Sequence, residues 1–421
     1  MKVLIINKSL TNGGAAIAAT RLFNALKESG TKVKMLVEDT VEETDDVKCL
    51  TNSKKAKKKA FGRFVMERLR FLPHEKNKTV RYRFSPATSG IDISKHPLVL
   101  DADIIHMHWV NQGFLSLQTI KKLFKLNKKI VWTLHDMWPF TGGCHYAGPC
   151  ENYMGSCGNC PFLRRPGKKD LSNKIIREKK KIWDNTKINA VACSKWMERT
   201  AQKSTLLQKH NVISIPNPID SRVFTPLNTK QCREEFGLPL DKKLLLFGAV
   251  NINDPRKGAK QLAQALDFLN IRHPNLTKEL ELVVFGKCKT QEMNMLPYKW
   301  HKIDFISGQN KMAKLYNCAD AFVLPSLEDN LPNTVMESLA CGVPVVAFSI
   351  GGVPEMIQHK ETGYVVSANN CNDLGIGIHH VLYENNPDLF KFSATKFVKD
   401  KYSNKEVARQ YNELYSSLVS K

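Results

Sequence analysis

The sequence predicts an α/β protein built from two doubly wound domains. Short apolar strands alternate with helical segments along the 421 residues. The strand segments are continuous apolar runs rather than polar–apolar alternations, as expected for parallel strands covered on both faces. The same rhythm starts again after the segment PNPID at residues 216–220, which places a domain boundary near residues 213–220.

The first domain, predicted over residues 1–212, opens with a strand–helix–strand unit. The turn TNGGAA at residues 11–16 links its first strand to a helical pattern that ends near Gly30, a plausible C-cap. The strands predicted in this domain are residues 2–6, 32–37, 103–107, 130–134 and 190–193.

The second domain, predicted over residues 213–403, repeats the pattern. A separate helix is predicted over residues 404–421. The strands predicted in the second domain are residues 243–250, 281–286, 321–326 and 343–348.

The charge is divided unevenly between the two halves. Residues 1–212 hold 39 Lys and Arg against 18 Asp and Glu, a net charge of +21. Residues 213–421 hold 24 against 22, a net charge of +2. This asymmetry predicts an anionic partner for the first half, such as nucleic acid, anionic lipid or a phosphorylated substrate.

The N-terminus lacks the features of a signal peptide, because the apolar run at residues 3–6 is short and Asn7 interrupts it. No apolar stretch approaches the roughly 20 residues that span a bilayer. We therefore expect a cytoplasmic protein, with attachment to the inner face of the cell membrane left open. The odd count of 11 cysteines argues against a disulfide framework.

Polar side chains and a glycine pair follow two predicted strands within residues 325–355. Ligands of open α/β sheets bind at the carboxyl ends of strands, where helix N-termini attract phosphate and carboxylates accept hydrogen bonds from hydroxyls. Acidic residues at helix starts also act simply as caps. The candidate residues are Glu328, Asp329, Asn330, Gly351 and Gly352.

This segment resembles the donor-binding signature of family 4 of the retaining glycosyltransferases. Asp329 and Glu337 have the family's spacing of two acids separated by seven residues, followed by CGVPVV and GGVPE. The resemblance implies two Rossmann-like domains that face a central cleft, the GT-B architecture. It also implies that the first acid contacts the donor sugar, that Glu337 contacts the ribose, and that the C-terminal helix at residues 404–421 crosses back to the first domain. The family has Glu where Asp329 stands, so Glu328 is the alternative.

Other matches to the family occur in the expected order. Lys257 corresponds to the lysine that holds the donor diphosphate. Ala249 stands about where the family has an arginine, and Arg256 is the candidate that takes the place of that arginine. His135, at the end of a strand, corresponds to the family's histidine near the reacting sugar. Gly13 and Gly14 resemble its glycine loop near the phosphates.

The resemblance implies a retaining transfer of sugar from a nucleotide-sugar donor, with no metal required for catalysis. The expected acceptor is a glycan or lipid-linked saccharide of surface polysaccharide biosynthesis. Two alternatives remain: another GT-B enzyme, such as a nucleotide-sugar epimerase or a phosphorylase, and a basic nucleic-acid-binding protein. The chain has no recognisable nucleic-acid-binding motif, so no nucleic-acid partner is expected.

Four cysteines cluster in the loop at residues 141–161, with the spacing C-x5-C-x6-C-x2-C. Four thiolates in a short Gly/Pro-rich loop predict a structural zinc site, although only one pair has the usual two-residue gap. Packed free thiols are the alternative. The candidate ligands are Cys144, Cys150, Cys157 and Cys160.

A strongly basic segment at residues 54–72 contains five Lys, three Arg and one Glu. Its apolar residues recur at helical spacing, which predicts a basic amphipathic helix for an anionic membrane surface. A surface helix that packs its apolar face against its own domain is the alternative.

Overall fold

A computed structural model describes residues 1–40, 43–287, 297–304, 306–384 and 386–420. The chain divides into two compact units, one formed by Met1–Pro218 with Val407–Lys421 and the other by Ile219–Glu406. Each unit contains one sheet whose paired strands run parallel. The predicted fold class, two Rossmann-like α/β domains, is confirmed.

The sheet of the first unit has seven strands in the order β3-β2-β1-β4-β5-β6-β7. The chain winds outward from β1 in one direction and then returns to place β4 on its other side, so the topological switch point lies between β1 and β4. The strands are β1 (Lys2–Ser9), β2 (Lys32–Asp39), β3 (Val47–Cys49), β4 (Ile104–Met107), β5 (Lys129–Leu134), β6 (Ile188–Ala192) and β7 (Asn211–Ser214).

Four of the helices that precede residue 218 begin with a side-chain cap from Ser or Asp. The side chains of Ser53, Ser116, Asp170 and Ser194 each accept a backbone N–H at a helix start, satisfying groups that the helix leaves free. The α-helices that precede residue 218 are α1 (Gly14–Glu28), α2 (Lys54–Phe71), α3 (Pro97–Asp101), α4 (Leu117–Phe124), α5 (Leu171–Trp183) and α6 (Lys195–Gln202).

The sheet of the second unit has six strands in the order β10-β9-β8-β11-β12-β13, which places its switch point between β8 and β11. The strands are β8 (Lys243–Asn251), β9 (Leu280–Lys287), β10 (Trp300–Ile303), β11 (Ala321–Leu324), β12 (Val345–Phe348) and β13 (Gly363–Val366). The helices are α7 (Thr229–Phe236), α8 (Ala259–Arg272), α9 (Gln309–Asn317), α10 (Asn333–Ala340), α11 (Cys371–His379) and α12 (Pro387–Tyr402).

Both faces of the first sheet are buried. Along β1, Leu4 and Ile6 belong to one apolar core, whereas Val3 and Ile5 belong to the core on the opposite face. Successive side chains of a strand point to opposite faces, so most residues of such a strand are apolar. This is why the strands appear in the sequence as continuous apolar runs.

The last helix, α13 (Asn404–Val419), joins the first unit from Val407 onward. Its buried side chains recur at helical spacing and lie in the same core as Val3 and Ile5 of β1. The C-terminal segment therefore completes one face of the first sheet. The buried residues are Val407, Ala408, Tyr411, Leu414 and Tyr415.

Four strands were missed by the sequence pattern: β3, β7, β10 and β13. All four are the edge strands of their sheets. An edge strand has one paired neighbour and a partly exposed surface, so short segments such as VKC and WHKI suffice without a continuous apolar run. Within the described ranges, no helix is long and apolar enough to span a membrane.

Candidate active site

The switch point of the second sheet holds an ion pair between two predicted site residues. Lys257 lies in the short 3-10 turn after β8, and Asp329 lies in the loop after β11. The Lys257 Nζ is 2.9 Å from Asp329 Oδ2, and both side chains are partly buried. The pair therefore lies where open α/β sheets bind their ligands.

Arg256 is held beside this ion pair by its own turn. Its guanidinium pairs with Asp254, with Nη2 at 2.6 Å from Oδ2. Its carbonyl oxygen accepts a 2.7 Å hydrogen bond from the Leu327 N–H, which ties the loop after β8 to the loop after β11. Because Asp254 offsets part of its charge, Arg256 is a weaker source of positive potential than its sequence position suggests.

The double-glycine turn after β12 packs directly on the acidic loop. Gly351 has φ of 50°, and a Cβ there would overlap the carbonyl oxygen of Asp329. Gly352 N–H donates a 2.9 Å hydrogen bond to the carbonyl of Asn330. Only glycine combines this left-handed conformation with so close an approach. The turn therefore sets the position of Asp329.

Glu337 lies one helical segment further on, in α10. It is 6% exposed, and its Oε2 accepts a 2.9 Å hydrogen bond from the Tyr316 hydroxyl. That bond orients the carboxylate from the neighbouring helix α9. Asp329 is the acid that pairs with Lys257, and Glu328, the next residue, is half-buried as Asp329 is.

A buried hydroxyl group without a partner among the described residues lies just before the same loop. Ser326 is 1% exposed, and its Oγ has no hydrogen-bond partner among the described residues. An unpaired buried hydroxyl is costly unless another group supplies its hydrogen bond. A ligand with hydroxyl or phosphate oxygens would satisfy it.

In the first unit, Gly13 and Gly14 follow β1 at its carboxyl end. Gly13 is the N-cap of α1, with φ of 96° and no side-chain cap, and Gly14 is the first helical residue. The N-cap residue itself therefore supplies no side-chain acceptor to the first turn of α1. This is the arrangement that binds anions at helix N-termini.

His135 follows β5 and contacts a histidine that the sequence argument missed. Its Nε2 is 2.9 Å from Nδ1 of His108, which follows the adjacent strand β4. The Nε2 of His108 is buried and has no hydrogen-bond partner within the described residues. Cys193 follows β6, and its sulfur lies 3.7 Å from His135 Nδ1.

A second buried network connects His106 of β4 to the C-terminal helix. His106 Nδ1 is 2.7 Å from the Tyr415 hydroxyl, and its Nε2 is 2.7 Å from Thr133 Oγ1. Thr133 is in turn 3.0 Å from the Tyr411 hydroxyl. The sequence signal for these histidines was the His-Met-His stretch at residues 106–108, because residues two apart share one face of a strand.

Burial keeps these imidazoles neutral. It lowers the pKa of His135 to about 4 and that of His106 to about 3, and it lowers the pKa of His108 well below the ordinary value. At neutral pH, His135 therefore acts as a hydrogen-bonding group without positive charge.

The turn after His135 is built around Asp136. Its carboxylate accepts hydrogen bonds from the Trp109 indole (2.9 Å), the backbone of Trp138 (2.8 Å) and His145 Nδ1 (2.7 Å). His145 also contacts Ser85 at 2.9 Å, so both of its ring nitrogens are engaged. These bonds fix the backbone that carries His135.

The four clustered cysteines all line one small cavity in the first unit. The structure has them as free thiols. Within the described residues, no three or more His, Cys, Asp or Glu side chains stand in an arrangement that could hold a metal ion. The cysteines are Cys144, Cys150, Cys157 and Cys160.

Comparison with known protein families identifies the family of this chain. The family model described as "Glycosyltransferase Family 4" matches residues 12–223, about half of the chain. The chain belongs to glycosyltransferase family 4. A second description, "Glycosyl transferases group 1", matches residues 241–384 of this family 4 glycosyltransferase. The resemblance found in the donor-binding segment is thereby confirmed.

Curated relatives of the family 4 glycosyltransferase include WcaC of Escherichia coli (strain K12), provisionally named for colanic acid biosynthesis. It is 28% identical over 296 residues, which cover 68% of this chain and 66% of WcaC. The D-inositol 3-phosphate glycosyltransferase of Corynebacterium aurimucosum is 23% identical over 386 residues, covering 85% and 83% of the two chains.

Solved structures share the fold of this family 4 glycosyltransferase. Sucrose-phosphate synthase from Thermosynechococcus elongatus has a TM-score of 0.67 at 18% identity, covering 100% of this chain and 99% of that one. HepE of Anabaena in complex with UDP-glucose has a TM-score of 0.64 at 14% identity, covering 99% and 100%. These likenesses support the two-domain Rossmann-like architecture.

Proposed function

We propose that this glycosyltransferase moves a sugar from a nucleotide-sugar donor to a glycan or lipid-linked saccharide, with retention of anomeric configuration. The observation that carries the proposal is the Lys257–Asp329 ion pair at the switch point of the second sheet. A cation and an acid side by side match a donor that joins a diphosphate to a sugar: Lys257 suits the phosphates, and Asp329 suits the sugar hydroxyls.

Two similarities support the choice of donor and pathway. HepE, which shares the fold, is known in complex with UDP-glucose, so a nucleotide sugar of that kind is the first donor to test. WcaC carries a name from colanic acid biosynthesis, which favours a surface polysaccharide as the product. We propose Glu337 as the acceptor of the ribose hydroxyls.

The proposed chemistry breaks the bond between the anomeric carbon and the diphosphate oxygen. A bond from the acceptor oxygen to the same carbon forms on the same face of the sugar, and the acceptor proton passes to the departing diphosphate. Negative charge grows on that diphosphate, so Lys257 stabilises the transition state, with a smaller contribution from Arg256. His135, neutral at pH 7, is proposed to hydrogen-bond the transferred sugar.

A cytoplasmic membrane face is the proposed place of action, with helix α2 as the attachment surface. Phe61 is 67% exposed and Leu69 is 55% exposed, and Leu72 beside them is also exposed. The five lysines between Lys54 and Lys59 are exposed as well. The residues that this helix buries are Glu67 and Phe71. Exposed apolar and basic side chains on one helix suit an anionic bilayer.

Thermal unfolding with UDP-, GDP- and ADP-sugars tests the donor. A ligand that binds only the native state stabilises it by about 2.7 kcal/mol at 100 times its Kd, so the true donor should raise Tm clearly. Lys257→Met should lose that shift, whereas Lys260→Met, an exposed lysine in α8, should keep it.

Product analysis then tests the reaction. NMR of the product should show the anomeric configuration of the donor. Inversion would contradict retention, and an altered sugar formed without acceptor would indicate an epimerase. Cleavage that depends on inorganic phosphate would indicate a phosphorylase. If no nucleotide sugar shifts Tm, the donor proposal is wrong.

A further inference from the structure

The cysteine cavity belongs to the first unit, is lined by none of the residues proposed to bind the donor, and has no role in the proposed transfer. Four of the chain's 11 cysteines line this one small space, together with Phe84, Tyr153 and Phe162. Residues far apart in an ordinary loop seldom bring four sulfurs together. Four thiols in one enclosure are the donor set that zinc prefers in structural sites.

The backbone of the C-x2-C pair has an unusual conformation. Cys157 and Asn159 both have positive φ, 52° and 49°, and Gly158 between them has φ of 102°. Non-glycine residues rarely adopt the left-handed region, and two in three residues indicate a turn held by its surroundings.

A buried ammonium group provides an independent observation. Lys179 of α5 is 0% exposed, and its Nζ donates hydrogen bonds to the carbonyls of Trp138 and Thr141. Its Nζ also lies 3.4 Å from the centre of the Trp138 ring, a cation–π contact. Among the described residues, the groups of potential negative charge that act on Lys179 are Cys144, Cys157 and Asp136, and the Asp136 oxygens bond Trp109, Trp138 and His145.

Burial lowers the pKa of Lys179 to about 7, so an anionic neighbour would be needed to keep the ammonium form dominant at neutral pH. Four thiolates outweigh the charge of one zinc ion, which makes a tetrathiolate zinc site anionic. The lysine would then be the counter-ion of the site rather than an isolated charge.

We propose that the cavity binds one structural Zn²⁺ through Cys144, Cys150, Cys157 and Cys160, with Lys179 as the buried counter-ion. On binding, each thiol releases its proton to solvent and forms one Zn–S bond, so no oxidant or reductant is required. In the present side-chain positions no three ligands meet around an ion. Binding therefore requires the four thiol groups to rotate toward one another within the cavity.

Elemental analysis of the purified full chain tests the stoichiometry, and about one zinc per chain is expected. Cobalt substitution supplies a spectrum: the intense visible bands of tetrahedral Co²⁺ and a thiolate-to-cobalt charge-transfer band should appear in wild-type protein. Cys157→Ser should lose the metal and the charge-transfer intensity, whereas Cys371→Ser, in the other unit, should keep both.

Lys179→Met preserves the length of the side chain and removes its charge. We expect it to speed zinc removal by a chelator about tenfold or more, because the anionic site loses its counter-ion. The cobalt spectrum of wild-type protein decides the question even if Cys157→Ser fails to fold. Active protein without zinc or a cobalt–thiolate band, in which all four thiols alkylate or pair as disulfides, would overturn the proposal.

Discussion

At the scale of single residues, Asp329 and Glu328 compete for one role, and their surroundings differ. Both are half-buried, but Asp329 pairs with Lys257 and its carbonyl oxygen packs against Gly351. We therefore propose Asp329 as the acid that contacts the sugar, although the family has Glu at this position.

We predict that Asp329→Asn lowers kcat/KM about 10- to 100-fold, because a hydrogen bond to a charged group contributes about 1.5–3 kcal/mol. Glu328→Gln should change kcat/KM by less than about threefold. Steady-state kinetics with the identified donor measures both variants. The reverse ranking would assign the sugar contact to Glu328, and two mild effects would remove both acids from the site.

Glu337→Gln should weaken donor binding by about 10- to 100-fold while the fold survives, since the ribose loses a charged acceptor. Isothermal titration with the donor measures this loss. Tyr316→Phe is the matched control: it removes only the 2.9 Å bond that orients the carboxylate, so its effect should be smaller. Unchanged affinity in a well-folded Glu337→Gln protein would refute the ribose role.

At the scale of elements, helix α2 differs from an ordinary surface helix in which side chains it buries. Its buried residues include Glu67, which accepts a 3.1 Å hydrogen bond from Gly113 N–H and a 2.9 Å bond from Arg68. Arg63 pairs with Glu38 at 2.9 Å. These polar anchors leave Phe61, Leu69 and Leu72 outside, so the helix keeps apolar side chains available for another surface.

We predict that the protein sediments with anionic vesicles at low salt and is released at high salt, because salt screens the attraction. Each basic residue near an anionic leaflet contributes about 1 kcal/mol, so removing five should abolish sedimentation. Donor binding should be unaffected. The lysines changed to Gln are Lys54, Lys55, Lys57, Lys58 and Lys59.

A matched control removes the same charge from exposed lysines of the second unit, and its sedimentation should equal that of wild type. Sedimentation of the α2 variant at the wild-type level would show that α2 is only a solvated surface. The control lysines are Lys278, Lys360, Lys396, Lys399 and Lys405.

At the scale of the whole molecule, neutral histidines in the first unit make stability depend on pH. The folded pKa values of about 3 for His106 and about 4 for His135 lie below the ordinary value of 6.5. Below pH 6.5 the unfolded chain therefore binds protons that the folded chain does not. Stability falls as pH drops from about 6.5 toward 4.

We predict that the free energy of unfolding falls by about 1.4 kcal/mol per pH unit for each of these histidines that stays neutral. Urea unfolding at pH 7, 6 and 5 measures the slope. His106→Asn should flatten it by up to one proton, and His74→Asn, an exposed position, should leave it unchanged. An unaltered slope in His106→Asn would contradict the assignment.

The sequence by itself determined the fold class, because a strand buried on both faces is apolar along most of its length. It also located the segment proposed to bind the donor, since Asp329, Glu337 and the Gly351 turn lie in one continuous strand–loop–helix–strand stretch. Such patterns depend on neighbouring residues alone, so they can be recognised without knowing how the rest of the chain folds.

Only the tertiary structure decided which distant residues meet. Lys257 and Asp329 are 72 positions apart, and His106 and Tyr415 are 309 apart. Strand order brings each pair together, and no periodicity encodes strand order. The sequence also did not determine the edge strands or the outward position of the apolar side chains of α2. Both depend on which other parts of the chain pack against the strand or helix.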